Sequence, residues 1–117
     1  MRWLCLIPLL TILFTFGGCA TSPEDELDAL PAEELYRRAK KALDSGDYET
    51  SIKTFEKLEV RFPFGKYAQQ AQLEIAYAYY KFDEPDSSIA TAERFIRNNP
   101  GSPHLDYAYY LKGLVNY

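Results

Sequence analysis

Asp44-Ser45-Gly46-Asp47-Tyr48-Glu49-Thr50-Ser51-Ile52 reads as a helix stop followed at once by a helix start. Glycine enters the left-handed conformation at little cost and ends one helix, while aspartate caps the next. Upstream, Leu35, Ala39, Ala42 and Leu43 recur at helical spacing; downstream, Ile52, Phe55 and Leu58 do so until Phe62-Pro63. Two amphipathic helices around so short a break make a helical hairpin. The plan returns 37 residues later: Ala39, Ala76 and Gly113 are spaced by that interval, as are Ser51 and Ser88, Leu58 and Phe95, and Pro63 and Pro100. A helix over 71–82 leads to the turn Asp83-Glu84-Pro85-Asp86, and Ile89, Ala92, Phe95 and Ile96 stripe another, stopped by Asn98-Asn99-Pro100-Gly101. Ser102-Pro103 opens a fifth helix that still runs at Tyr117. No stretch alternates for long enough to be a strand, so the expected fold is all-α.

A hairpin of this kind cannot bury its apolar face alone, so its neighbours stack into an α-solenoid. The units resemble the tetratricopeptide repeat: Gly46-Asp47-Tyr48 matches its central turn, and Ala39, Ser51, Phe55 and Pro63 fall at its small, small, aromatic and proline positions. Leu35 and Gln72 stand where the repeat usually has Trp, and its period of about 34 is lengthened through Phe64-Gly65-Lys66. The expected organisation is repeat 1 over 32–63, repeat 2 over 64–100 and the first helix of a third over 101–117. Between units, Phe55/Leu58 becomes Ala92/Phe95, which shifts bulk by a helical turn and requires local repacking.

The amino terminus has another character. Arg2 precedes a 13-residue oily run from Leu4 to Phe16, broken by Pro8. That run is short of the ~20 residues a helix needs to span a bilayer, and it has the parts of a secretory signal over 1–18. Gly17-Gly18-Cys19 resembles the bacterial lipoprotein cleavage box, with Phe16 in place of its usual Leu. The resemblance implies cleavage after Gly18 and a diacylglycerol thioether on Cys19, with an acylated new amino terminus. Two or more chains hold a protein firmly to a membrane. Ala20, in place of Asp, favours the outer membrane. Residues 19–31, polar and acidic, are expected to form a flexible tether. Cys5 leaves with the signal and Cys19 carries lipid, so no disulfide is expected.

The chain carries 13 basic and 17 acidic side chains, a net charge of −4. Glu24, Asp25, Glu26, Asp28, Glu33 and Glu34 all precede the first basic residue after Cys19, leaving a near-neutral body. Nothing here suits nucleic acid. His104 is the only histidine and has no second ligand or oriented partner, so neither a metal site nor acid–base catalysis is expected. Asp83, Glu84 and Asp86 lack the glycine-centred spacing of a calcium loop. The chain is expected to be non-enzymatic, with no cofactor beyond the covalent lipid.

Stacked hairpins curve, and their first helices line the inner side. By the repeat register Tyr36 and Lys40 face that groove, then Leu73, Tyr77, Tyr80 and Lys81, then Tyr107 and Tyr110, with Leu43, Asp44, Leu114 and Tyr117 beside them. Tyr79 and Tyr109 fall off the stripe and are assigned to packing. Tyrosines offer rigid apolar area with a hydrogen-bonding tip, and the lysines can hold a carboxylate. The set suits an extended peptide ending in an aromatic residue and a free C-terminus.

Arg61-Phe62-Pro63-Phe64-Gly65-Lys66-Tyr67 with Gln69-Gln70, Ala76-Tyr77-Ala78-Tyr79-Tyr80-Lys81, and Arg94-Phe95-Ile96-Arg97-Asn98-Asn99-Pro100 are far sharper than a generic repeat signature. With the lipobox, they make the chain resemble the outer-membrane assembly lipoprotein family BamD (ComL) over nearly all of 33–117. The likeness covers about the first half of that family. It implies an adaptor of the outer-membrane β-barrel assembly (BAM) complex, lipid-anchored on the periplasmic face of the outer membrane. The implied partners are BamA, other BAM subunits and unfolded outer-membrane β-barrel proteins, with BamA docking on later repeats. The other reading open to the sequence is a scaffold lipoprotein of cell-wall or pilus assembly.

Overall fold

The computed structural model describes Gly18 and residues 22–117; the signal segment and Cys19 lie outside the described residues. Every regular element among them is a helix: α1 (Pro23–Asp28), α2 (Ala32–Asp44), α3 (Tyr48–Arg61), α4 (Lys66–Lys81), α5 (Pro85–Asn98) and α6 (Leu105–Val115). From α2 onward each helix packs on the next, and α2 with α4 and α4 with α6 also touch directly. The first helices of successive hairpins therefore form one row, with α3 and α5 behind it.

The turns explain the period. Gly46 sits at φ 82°, and the Asp47 and Gly46 amides donate to the Ala42 and Leu43 carbonyls at 3.0 and 3.1 Å. This double bond closes α2, and the Asp47 carboxylate then accepts from the Thr50 amide to open α3. One period on, Asp83 takes the same left-handed place at φ 60°, with the Glu84 and Asp83 amides donating to Tyr79 and Tyr80. A side chain there is strained. Asp83→Gly is expected to raise stability by roughly 0.5–1 kcal/mol, read as a higher urea midpoint at unchanged slope; a lower midpoint contradicts the assignment.

The core falls into three clusters, and Tyr77 packs against the first and the third. Leu35, Ala39, Leu43, Ile52, Phe55, Leu58, Ala71, Ile75 and Ala78 make the first cluster. Phe95 packs with Leu73 and Ala108, and Ala92 with Ala76 and Leu111. Where the second unit has Ala92 in place of Phe55, Leu111 from α6 supplies the missing bulk. Ser51 and Ser88, equivalent by the period, are both sealed from solvent. Ser88 Oγ donates to the Ala76 carbonyl at 2.7 Å, whereas Ser51 Oγ has no partner among the described residues. Gly113, third in the line of small residues, is open to solvent.

The expected flexible tether is overturned over 22–30. Ser22 and Asp25 form a reciprocal cap at the start of α1, and Leu27 and Leu30 pack on the first core cluster. Lys57 Nζ lies 2.6 Å from the Asp28 carboxylate and donates to the Glu24 carbonyl; Arg61 donates to the Leu27 and Leu30 carbonyls at 3.1 and 2.8 Å. Arg38 reaches Glu26 at 2.8 Å. The segment thus covers the open end of the array, as a terminal cap of a stacked-repeat protein must.

Acid should loosen this cap. The hydrogen bond from Arg37, helped by Arg38, holds the Glu34 carboxyl down to about 2 from an ordinary 4.5. The Lys57 hydrogen bond lowers Asp28 from 3.8. A carboxyl depressed by folding stabilises the fold above its unfolded pKa, and the contribution fades as pH falls through the folded value. Asp28 is exposed and Glu34 only partly covered, so screening keeps the effect local. The protection of amides 25–30, measured against intrinsic exchange, is expected to fall as pH drops below the ordinary 3.8 of Asp28, before that of α3 and α4 does; equal protection throughout contradicts this docking.

Candidate peptide-binding groove

The row formed by α2, α4 and α6 brings most of the expected residues to one side and centres them on a residue sequence reasoning missed. Glu74 of α4 has a side chain only 13% exposed. Its carboxylate accepts from the Tyr36 hydroxyl at 3.2 Å, from Lys40 Nζ at 3.4 Å and from Gln70 Nε2 at 3.3 Å. Burial, then the Glu74 charge, pushes the Tyr36 hydroxyl up to about 12. The Tyr107 hydroxyl is raised by burial first, then by the charge of Glu74 and by Tyr77 and Tyr110.

Several expectations are corrected by this geometry. Leu73 is 2% exposed and packs with Phe95 and Ala108, so it belongs to the core between hairpins. Leu43 is likewise buried in the first cluster. One step along a helix turns a side chain by about 100°, and the stripe that faces outward is 70-74-77-81. Lys40 lines a shallow depression with Tyr36 and Tyr67, yet its ammonium is already engaged by Glu74 and by Asp44 at 3.7 Å. Tyr36 uses its ring on packing, edge-on to Phe55 at 5.5 Å and beside Tyr67 at 5.2 Å. Tyr109, assigned to packing, is 57% exposed; Tyr79, assigned likewise, packs on the first cluster and bonds Glu56 through its hydroxyl.

The remaining expected residues make an accessible aromatic surface. Tyr77 and Tyr80 are half-buried with ring centroids 6.5 Å apart. Tyr107 and Tyr110 are exposed and stacked at 6.1 Å. Lys81, exposed at the carboxyl end of α4, is in no ion pair among the described residues and leaves a cation available on that helix. The surface can therefore take aromatic and aliphatic side chains along α4 and α6. Along α4 a carboxylate fits best at the Lys81 end, because Glu74 repels one at the centre.

A family model described as outer membrane lipoprotein, YfiO, matches residues 28–117. The chain belongs to this family. Relatives named "Outer membrane protein assembly factor BamD" include one from Vibrio cholerae, 41% identical over 99% of this chain and 47% of its own length. Another from Neisseria gonorrhoeae is 45% identical over 85% of this chain and 39% of its own. A third from Xylella fastidiosa is 34% identical over 95% and 38%. The chain thus spans somewhat under half of these relatives, and its likeness to BamD, read first from Arg61–Tyr67, Ala76–Lys81 and Arg94–Pro100, is that of an amino-terminal portion.

Within this YfiO-family chain, Glu74, Gln70 and Tyr67 are the groove residues that the repeat register did not single out. The signal that could have found Glu74 is its setting: an acid in the interior of the most apolar full-length helix, four residues after Gln70 and three before Tyr77. Among the described residues no group of histidine, cysteine and acidic side chains could hold a metal ion. His104 stands exposed at the start of α6.

Proposed function

We propose that the chain is a lipid-anchored, non-enzymatic subunit of the machinery that assembles β-barrel proteins into the outer membrane, held at its periplasmic face through Cys19. Its groove receives the carboxyl-terminal segment of an unfolded barrel precursor. The observation that carries this reading is the pair of tyrosine pairs on α4 and α6, Tyr77–Tyr80 and Tyr107–Tyr110, with Lys81, which has no ion pair among the described residues, at the end of α4. The relatives' printed role in outer membrane protein assembly supports it. Tyrosine presents large contact area at low entropic cost, which suits a site that accepts many related peptides. BamA and the other subunits of the BAM complex are the proposed standing partners, with BamA meeting parts of the family beyond this portion.

A photocrosslinking side chain placed at Tyr77 or Tyr80 in living cells tests the proposal. Adducts with barrel precursors that accumulate when insertion is slowed are the expected result. Adducts with complex subunits alone would reduce the groove to a scaffold surface, and adducts with wall or pilus proteins would move the chain to another system.

A further inference from the structure

On the opposite side from the tyrosine row, the link between α3 and α4 carries an apolar feature the fold does not use. The Gly65 amide donates to the Phe62 carbonyl at 3.1 Å, closing a tight turn that holds Phe64 at 100% exposure, next to Val60 at 80%. One period later the same positions are Arg97 and Gly101, so a stacked hairpin does not require the pair. The two side chains stand over a cleft of about 770 Å³ between α3, this turn, α4 and α5.

The cleft has a built floor and an unfinished rim. Glu59 accepts from Gln72 at 2.7 Å and pairs with Arg94 at 3.1 Å, and Asn99 bonds Gln72 in turn. At the rim the carboxamides of Gln69 and Asn98 are exposed and make no side-chain hydrogen bond among the described residues. Glu56, also exposed, is in no ion pair there and accepts only the Tyr79 hydroxyl at 3.4 Å. Free carboxamides donate and accept, which matches the alternating groups of a peptide backbone. An unneutralised carboxylate selects a cation. An apolar patch rimmed by polar groups marks an interaction site.

We propose that this cleft is a second docking site, taking an extended segment of a partner protein that sets a bulky apolar side chain against Phe64 and Val60 and a lysine or arginine against Glu56. The site is independent of the tyrosine groove. The probe is a panel of fluorescein-labelled peptides with a central Leu, Phe or Trp and, two positions on, Lys, Gln or Glu, titrated against the full chain by anisotropy. Saturable binding of the Lys peptides, about tenfold tighter than the Glu peptides, is expected, with a loss of about tenfold in Phe64→Ser. Glu56→Gln should abolish the Lys-over-Glu preference yet keep the need for the apolar residue, and Tyr77→Ala should change neither. Both altered side chains are exposed, and unchanged helicity confirms that the fold persists. The proposal is overturned if no peptide saturates or if Phe64→Ser leaves affinity intact. It is equally overturned if the substitution instead abolishes self-association in sedimentation or binding to phosphatidylglycerol vesicles.

Discussion

Phe55→Ala is expected to lower unfolding free energy by about 3–5 kcal/mol, the usual cost of deleting a sealed aromatic side chain. Phe55 is 0% exposed and sits among Leu35, Ala39, Ile52, Ile75 and Ala78, so α2, α3 and α4 all lose contacts together. Tyr36, edge-on to its ring, would lose the surface that holds it toward Glu74. A small domain has only about 5–15 kcal/mol in hand, so this one substitution should remove a large share of the stability and move the unfolding midpoint well down. The readout is a urea transition followed by helicity, with a loss under 1 kcal/mol contradicting the packing described. Phe95→Ala offers a comparison, because its cluster with Leu73 and Ala108 is smaller and lies between α4, α5 and α6.

The second large effect concerns binding and has two opposed signs. Replacing Tyr77, Tyr80 and Lys81 together with alanine should weaken a peptide bearing a terminal aromatic residue and free carboxylate by about 30-fold or more, the scale of a hot spot worth 2 kcal/mol. Helicity should persist at some cost in stability, since Tyr80 and Lys81 sit outside the core clusters and Tyr77, half-buried, packs on the edge of two of them. Glu74→Gln should act in the other direction. It keeps hydrogen-bonding capacity toward Tyr36 and Gln70, removes the negative charge at the groove's centre and frees Lys40, so the same peptide should bind several-fold tighter at low salt, with the gain shrinking as salt is added. Amidating the peptide's C-terminus should erase the gain. Equal affinity across the triple variant and the parent would refute the groove assignment, and weaker binding by Glu74→Gln would show that its carboxylate supports the site.

The helices were legible because their punctuation is local. Gly46 and Asp47 carry stop and start in two residues, and the 37-residue offset transfers that reading to Asp83, where no glycine signals it. The docking of α1 was not legible, because it rests on Lys57 and Arg61, roughly thirty positions further on, and on Leu27 and Leu30 set in an acidic, proline-flanked stretch. The outward face of the α2–α4–α6 row was legible to within one residue per turn. Tyr77, Tyr80, Tyr107 and Tyr110 reach the surface, but Leu73 and Glu74 exchange roles. On a helix buried against α3, α5 and both neighbours in its own row, the outward stripe is narrow enough for a single step to cross its edge. For Lys40, the pair with Asp44 follows from i,i+4 spacing on α2, whereas the pair with Glu74 joins two helices that a linear pattern does not connect.

The main helix pairings lie one or two elements apart along the chain. Each closure therefore spans a short stretch of polypeptide and sacrifices little freedom before contacts begin to repay it. A chain threaded into a compartment carboxyl end last can thus complete its first hairpin, capped by α1, while the remainder is still emerging. Sequence changes in one link, such as the lengthened Phe64-Gly65-Lys66 connection, are absorbed where they occur and are not propagated to distant partners.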